Sequence, residues 1–522
     1  MTSFWITLVP FVALFVLLIP LRRPAYQAAP IAYALTVAIA LFGWELTGGV
    51  LAASVANALI VFVELLLIVV FALLVLNVMI ETGALDTVKT AIGGITSDLR
   101  VLAMLLAWGL VGFIEGIAGF GTPAVIAAPV LVYFGLKPLR AVAVCLIGNS
   151  TAVPFGAAGT PVVIGFAGLG VEPEVIADAT LYAALVQAVA SILITASITY
   201  VVTFDAGKGS FRAFLPFAVF AALAFSLPYL AVAYLVGPEL PAIIGGIVAL
   251  VLIAYAAKRG FLLPQHGDDL AMASGDDAAA GKPEPSPASG AIWRSFAPFI
   301  VMSLALVVSR TAPGVQTALQ DVTLGFGTVA GIEIETFTPL YTPYFYLALA
   351  LATALLVLPI DQGKLESAVT ATYGKVRTAA VVLVFVIALT QLLLVSGTNP
   401  ANLPSMPEVL GEGLADRFGD GFVVISAFVG ALGSFMTGSA TVSNLLFASL
   451  QQDTALALAQ PVAIVLALQL IGAAVGNLIS LSNIAMAAGA VGLDAREGEV
   501  IRLTLVPVVV ICLTAGLAFA FW

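Results

Sequence analysis

The chain has 522 residues, of which 61% are hydrophobic and only 9% charged, with a mean hydropathy of +1.15. Soluble domains run at roughly 45–50% apolar and about 25% charged, so a chain this apolar lacks the polar residues to cover a water-facing surface. Its 19 basic and 29 acidic residues leave a net charge of −10, concentrated in loops such as GDDLAMASGDDAAA, and no basic surface for nucleic acid is left. Those acidic loops read as ordinary solvated loops or as adaptation to high salt. The two cysteines, Cys145 and Cys512, lie in apolar runs far apart, so neither a disulfide framework nor a metal pattern is expected. The single histidine, His266, sits in a polar loop, which argues against a His-based triad or a multi-His metal site.

Apolar runs of about 20 residues, long enough for a hydrocarbon core of ~30 Å, recur from end to end and predict an all-α polytopic membrane protein. The first run, 4–20, lacks a basic segment before it, and Arg22 and Arg23 follow it, so it reads as a retained span rather than a cleaved signal. Further spans are expected near 30–45, 50–80 (an interfacial turn plus a span), 101–118, 122–135, 138–153, 176–203, 213–236 and 240–257. The hydrophilic stretch 258–291, with KPEPSPASG, reads as a flexible linker. Beyond it, spans are expected near 293–309, 342–359, 378–396, 421–437, 458–475 and 500–521, about 12 to 14 in all. The linker divides the chain into membrane halves 1–257 and 292–522.

An internal repeat supports that division. FIEGIAGFGTP at 113–123 and GNSTAVPFGAAGTP at 148–161 have counterparts in FMTGSATVSN at 435–444 and GNLISLSNIAMAAG at 476–489. This matches Phe113 with Phe435, Gly116 with Gly438, and Gly148 and Asn149 with Gly476 and Asn477. Cytoplasmic loops are rich in Lys and Arg. Arg22, Arg23, Lys89 and Arg100 in one half, and Lys364, Lys375 and Arg377 in the other, therefore mark inside loops. The span holding Glu115 then runs outward and the span reaching Thr437 runs inward, which predicts two inverted repeats with broken helices or re-entrant hairpins.

Glycines at four-residue spacing, Gly112 and Gly116, suit a helix–helix packing face. Gly119, Gly121 and Pro123 just beyond them do not, and with Thr122 they point to a helix broken near the midplane. Irregular backbone at that depth is tolerated only where protein or a water-filled cavity covers it. Broken helices in transporters aim half-helix N-termini at anionic substrates. The candidate binding groups are Gly119, Gly121, Thr122, Asn149, Ser150, Thr151 and Thr160 in the first half. In the second they are Thr437, Ser439, Thr441, Ser443, Asn444, Asn477, Ser480, Ser482 and Asn483. Each hydroxyl could instead bond the preceding helical turn. Glu115 is the sharpest residue: an ionisable group at membrane depth is costly and marks proton relays or substrate paths, unless it is held protonated for structure. Glu64, in VFVELLLIV, shares that depth without the glycines. Arg140 either pairs with a substrate carboxylate or snorkels as a helix-end anchor.

The dense stretch GFIEGIAGFGTPAVIAAPVLVYFGLKPLRAVAVCLIGNSTAVPFGAAGTPV, over 112–163, resembles the signature region of the bacterial and archaeal lactate permease family, with a weaker likeness at 433–489. The resemblance implies uptake of L-lactate, and of D-lactate or glycolate, by proton symport across the plasma membrane, with no cofactor and no metal. It also implies the inverted repeats and re-entrant hairpins of the ion transporter superfamily and, by analogy, a substrate-carrying part, a fixed scaffold and a homodimer interface. Glu115 becomes the candidate proton carrier, unless lactate moves with its own proton. Departures are the acidic 258–291 insert and the stretch 321–341, DVTLGFGTVAGIEIETFTPLY. Sodium coupling through the Asn149 and Asn477 turns is the alternative for a small carboxylate transporter. An intramembrane enzyme is disfavoured, since neither HExxH nor paired buried histidines occur.

Overall fold

The computed structural model describes residues 2–18, 21, 23–96, 98–119, 122–205, 207–264, 289–493 and 496–520. Most of the 258–291 linker, His266, Gly121, and Arg22 fall outside the described residues. Helices α1 (Thr2–Leu18) and α2 (Ala25–Gly43) pack together. They lead into α3 (Gly48–Glu81), where the Thr47 hydroxyl accepts from the Val50 N–H. This is one continuous helix of 34 residues, not a turn plus a span, because no Gly or Pro interrupts it after Gly49. After the short α4 (Ala84–Gly93) come α5 (Leu99–Ala103), a π-helical stretch Met104–Leu110, and α6 (Val111–Ala118). Every residue of Leu99–Ala118 is buried inside the protein, which is what permits irregular backbone at this depth.

The expected spans at 122–135 and 138–153 are instead α7 (Thr122–Tyr133) and α8 (Pro138–Asn149), with 12 residues each. At 1.5 Å per residue they reach about 18 Å, too short to cross alone. A 3₁₀ turn at Val153–Phe155 then leads into α9 (Gly156–Val163). The first half closes with α10 (Pro173–Thr203), α11 (Gly207–Leu235) and α12 (Pro241–Arg259). The second begins with α13 (Ser289–Thr311) and α14 (Pro313–Gln320). A small antiparallel hairpin follows, β1 (Thr328–Val329) with β2 (Ile332–Glu333), in the 321–341 stretch. Then come α15 (Pro343–Val357), α16 (Gln362–Val395), α17 (Met406–Phe418), α18 (Phe422–Thr437), α19 (Ala440–Ala457), α20 (Val462–Gly476), α21 (Leu481–Ala490) and α22 (Glu497–Ala520). The acidic stretch around Glu408 is helical, started by a capping box between Ser405 and Glu408. Helix α19 was not expected, because Gln451, Gln452 and Asp453 lower its hydropathy. Among the described residues ten helices are long and apolar enough to cross a membrane, or up to 12 when two bent pairs are counted.

The helices' two ends differ in charge. At one end Trp44 Nε1 donates to the Pro404 carbonyl (2.8 Å), Gln452 Nε2 to Leu169 (3.2 Å) and Gln460 Nε2 to Asp420 (3.4 Å). That end carries Glu45, Glu172, Glu333, Glu335, Glu408, Glu412, Asp416 and Asp420. At the other end Lys137 and Arg140 both pair with Asp205 at 2.7 Å, and Arg100 donates to Ser210 at 3.0 Å. Lys208 and Arg212 follow directly in sequence. Helix α3 runs from the acidic end to the basic one, and α5–α6 rises from the basic end. Helix α18 starts beside Asp420 at the acidic end.

Candidate functional site

Four helices break at the centre, and at three of them residues with positive φ mark the break. Helix α6 stops because Gly119 takes φ 57°, ψ −151°, a backbone region that is essentially reserved for glycine. Gly112 and Gly116 lie within α6 as a packing face: a Cβ on Gly112 would come 2.5 Å from Phe225, and one on Gly116 2.7 Å from the Ile243 backbone nitrogen. Helix α8 ends at Asn149, and the chain recovers helical geometry only after Ala157, Ala158 and Gly159, all with positive φ. In the second half α18 ends at Gly438, with φ 75°, and Ser439 caps α19 by accepting from the Val442 N–H at 3.3 Å. Helix α20 ends at Gly476 and α21 restarts after Ser480.

The two halves share one construction. The break pairs Gly119 with Gly438, three residues from the Gly116–Gly438 register of the sequence motif. The other motif glycines are equivalent in packing. A Cβ on Gly148 would lie 1.8 Å from the Ala107 carbonyl oxygen, and one on Gly476 would lie 2.4 Å from that of Ala431.

The breaks enclose one small cavity. From the first half Glu115, Gly119, Gly156 and Pro161 line it, and from the second Ser439, Thr441 and Asn477 face them. Its volume is about 20 Å³, room for about one water. Glu115 is buried at 3% exposure, and its Oε2 accepts from Asn149 Nδ2 at 3.1 Å. Across the cavity α19 presents its N-terminus. There the leading N–H groups of a helix lack intrahelical partners and favour an anion.

The remaining predicted residues divide. Thr151 is fully buried, and its Oγ1, like Asn149 Oδ1, has no hydrogen-bond partner. Ser150, Thr160 and Thr437 follow the alternative reading, bonding the backbone of Ile147, Ala157 and Gly433. Ser443 bonds the Gly430 carbonyl, and Asn444 donates across the halves to the Pro161 carbonyl at 2.8 Å. Asn483 holds the break itself, donating to the Gly438 carbonyl and to Asn477 Oδ1, both at 3.3 Å. Ser480 and Ser482 bond each other at 2.9 Å. Thr122 begins α7, and Gly121 lies outside the described residues. Arg140 is not at the cavity. It belongs to the basic end, paired with Asp205 and set over the Phe204 ring, which is the anchoring role. Asp205 lies outside the spans, and its hydrogen bonds to Arg140, then Lys137, hold its carboxyl down at about 2.

A buried amide chain behind the cavity had no counterpart in the sequence reading. Gln451 Nε2 donates to Gln469 Oε1 at 2.8 Å, and Gln469 Nε2 donates to Ser443 Oγ and Asn444 Oδ1, both at 3.1 Å. Through Asn444 it reaches Pro161, so it fixes the second half against the first. Two glutamines mid-span on α19 and α20 were the available signal, since unpaired amides are costly inside a membrane protein.

Paired broken helices that meet at one buried polar cavity, inside a bundle of apolar spans, define a multi-pass membrane transporter. The chain belongs to the L-lactate permease family, whose profile matches residues 3–522. It is similar to an L-lactate permease of Streptococcus iniae, with 29% identity over 78% of this chain and 80% of that one. It is also similar to an L-lactate permease of Bacillus subtilis (27% identity, 95% and 92% covered) and to the glycolate permease GlcA of Escherichia coli (27%, 96% and 92%).

Proposed function

We propose that this protein carries L-lactate, with D-lactate or glycolate, across the plasma membrane by proton symport. The substrate class comes from the relatives, which are named for L-lactate and glycolate and match over nearly the whole chain. The observation that carries the mechanism is the cavity with a buried carboxyl, Glu115, on one wall and the N-terminus of α19 on the other. The substrate carboxylate docks at the α19 N-terminus, where N–H groups and the helix dipole favour it. The hydroxyl of Thr441 and the amide of Asn477 lie beside that position for a 2-hydroxyl group. Glu115 carries the proton, so that one lactate anion and one proton cross together without net charge. Asn149 holds the carboxyl by donating to it, and the Oδ1 that it leaves free can accept from a protonated partner.

Two inverted halves, 1–257 and 292–522, with 258–291 as a linker, suit this cycle. The basic end is then cytoplasmic. Helix α6 enters from it and α18 from the acidic end, so the two broken helices approach the cavity from opposite sides. Sodium coupling is the second reading, and the observation in its favour is the pair of buried unpartnered oxygens, Asn149 Oδ1 and Thr151 Oγ1, at the C-terminal end of α8.

The test is uptake of labelled L-lactate into proteoliposomes, with an inward proton gradient and no sodium. Accumulation above equilibrium that vanishes when the gradient is collapsed, and that glycolate competes, is the expected result. Accumulation only with sodium replaces the coupling ion. No uptake under either gradient, from folded protein, overturns the substrate.

A further inference from the structure

The face of α12 that turns away from the transport cavity borders a groove that the transport site does not use. Helix α12 packs against the helix that holds Glu115. A Cβ on Gly246 would lie 2.5 Å from the Phe113 backbone nitrogen, and one on Gly109 would lie 3.0 Å from Leu250. Rising numbers on α12 thus meet falling numbers on α5–α6, so α12 descends to the basic end and finishes there with Lys258 and Arg259. Helix α13 is held separately. Its Phe296 and Phe299 rings lie 5.3 and 5.1 Å from that of Phe113, and the helix packs on α4 and α15. Between α12 and α13 this leaves a groove of about 290 Å³, against about 20 Å³ at the transport cavity. Ligand sites begin at roughly that larger size.

The walls and the mouth of the groove differ in chemistry. Every lining side chain is apolar, drawn from α4, the π-helical stretch, α12 and α13. On α12 the lining residues are Ile247, Leu250, Val251 and Ala254, one stripe at three- and four-residue spacing. The next position on that stripe is Lys258, which is exposed. From Ile247 to Lys258 the helix advances about 16 Å, at 1.5 Å per residue. That is the depth of one leaflet of a hydrocarbon core of ~30 Å. From α13 the exposed Trp293 lines the groove, and Arg294, also exposed, follows it on the same turn. Tryptophan is enriched where a bilayer meets water, which sets the mouth of the groove at that level. Arg259 is occupied differently, set 5.2 Å over the Tyr255 ring.

An apolar cleft one leaflet deep, with cations at its mouth, complements an acyl chain that carries an anionic head group. Basic pockets between membrane helices recognise phosphate head groups in this way. We propose that the groove is a binding site for an anionic phospholipid of the leaflet at the basic end. The acyl chain lies along the Ile247–Ala254 stripe, and Lys258 and Arg294 hold the phosphate. Because Gly246 and Phe296 both bear on Phe113, the two walls are fixed to one residue and the groove is preformed. The inference does not depend on the coupling ion or on the transported substrate.

The test is quenching of tryptophan fluorescence by phospholipids with brominated acyl chains. The vesicles mix phosphatidylcholine and phosphatidylglycerol, and either lipid carries the bromine. The Trp293 signal is the difference between wild type and Trp293→Phe. Brominated phosphatidylglycerol is expected to quench that signal beyond its share of the bilayer, and brominated phosphatidylcholine to quench it less than its share. One basic group beside an anionic lipid changes occupancy about fivefold, so Lys258→Gln and Arg294→Gln are each expected to lower the preference by about that factor. Ala254→Phe fills the groove from α12 and is expected to abolish the preference; Ala91→Phe fills it independently from α4. Purified wild type is also expected to keep phosphatidylglycerol through detergent washing, read by native mass spectrometry, and both filled variants to lose it. Quenching in proportion to bilayer composition overturns the proposal, since the groove then takes only solvating lipid. So does a preference that survives both Lys258→Gln and Arg294→Gln. A Trp293 signal that neither brominated lipid quenches also overturns it, since something other than lipid then covers the groove.

Discussion

Replacing Gly156 by alanine tests the position of Glu115 with a single methyl group. Gly156 has φ −67° and ψ 156°, ordinary extended backbone, so alanine introduces no conformational strain. Its Cβ would, however, lie 2.6 Å from Glu115 Oε1 and 3.3 Å from both the carboxyl carbon and the Glu115 carbonyl oxygen. Opening 2.6 Å to ordinary contact at 3.4 Å moves the carboxyl by about 0.8 Å, into a cavity of about 20 Å³ or against Asn149. Overpacking of this size costs about 1–3 kcal/mol of stability. A reacting group displaced by about 1 Å costs on the order of 10²-fold where geometry governs the rate, so proton-driven uptake is expected to fall 10- to 100-fold. The assay is initial uptake under an imposed proton gradient, beside thermal unfolding in detergent. Glu115→Asp in the same chain retracts the carboxyl by one methylene, and the double variant is expected to transport better than Gly156→Ala alone. Gly148→Ala is the contrast: its Cβ would sit 1.8 Å from a backbone oxygen of Ala107, and no folded protein is expected. Wild-type uptake by Gly156→Ala, with an unshifted pH dependence, would refute the placement of Glu115 at the cavity wall.

Glu115→Gln is expected to abolish proton-driven accumulation while leaving lactate counterflow less affected; equal loss of both, in folded protein, rules out the carrier role. Arg100 is fully buried, bonded to Asp98 through Nε and Nη2 and set 5.0 Å above the Phe214 ring. Arg100→Met strands the buried Asp98 carboxylate and is expected to cost about 3–5 kcal/mol, and Asp98→Asn in the same chain should recover part of it. An unchanged unfolding midpoint for the single variant would contradict this. Asp205 ionises at about 2 in the folded protein against an ordinary 3.8, so its pairing stabilises the fold above pH 3.8 and is lost as the pH falls toward 2. Asp205→Asn is expected to remove that part of the acid-side decline in thermal stability, and 1 M salt to shrink the difference between the two proteins at neutral pH. Identical acid profiles for the two would count against the pairing.

Much of the fold is legible in the chain because the membrane imposes one strong rule. Hydropathy located the long spans α10, α11 and α12 to within several residues. It failed where a helix is neither uniformly apolar nor full-length. The runs at 122–135 and 138–153 are apolar enough to cross, yet α7 and α8 stop after 12 residues each, because shielding by other helices lets a half-span end inside protein. The same shielding hid α19, whose Gln451 and Asp453 look like loop residues until Ser426 and Gln469 are seen to bond Gln451. A period-based reading has no term for the π-helical stretch Met104–Leu110 either, since its residues are ordinary apolar ones.

The cavity was legible for a different reason. Gly119 and Gly438 carry positive φ, and Asn149 and Asn477 stand at helix ends with their side-chain amides bonded to Glu115 and Asn483. Such positions restrict the residue type, so they show in a single sequence. Contacts made by backbone groups do not. Nothing in the sequence distinguishes Ser443, which bonds the Gly430 carbonyl, from Thr441, which faces the cavity two residues earlier on the same helix. A helix turns about 100° per residue, so residues two apart point to nearly opposite faces. Which of the two faces the cavity is therefore decided by the rotation of α19, and Asn444 holds that rotation by reaching the Pro161 carbonyl from the other half of the chain. The residues that break helices could be read locally, whereas the residues that face the cavity are fixed by contacts almost 300 positions apart.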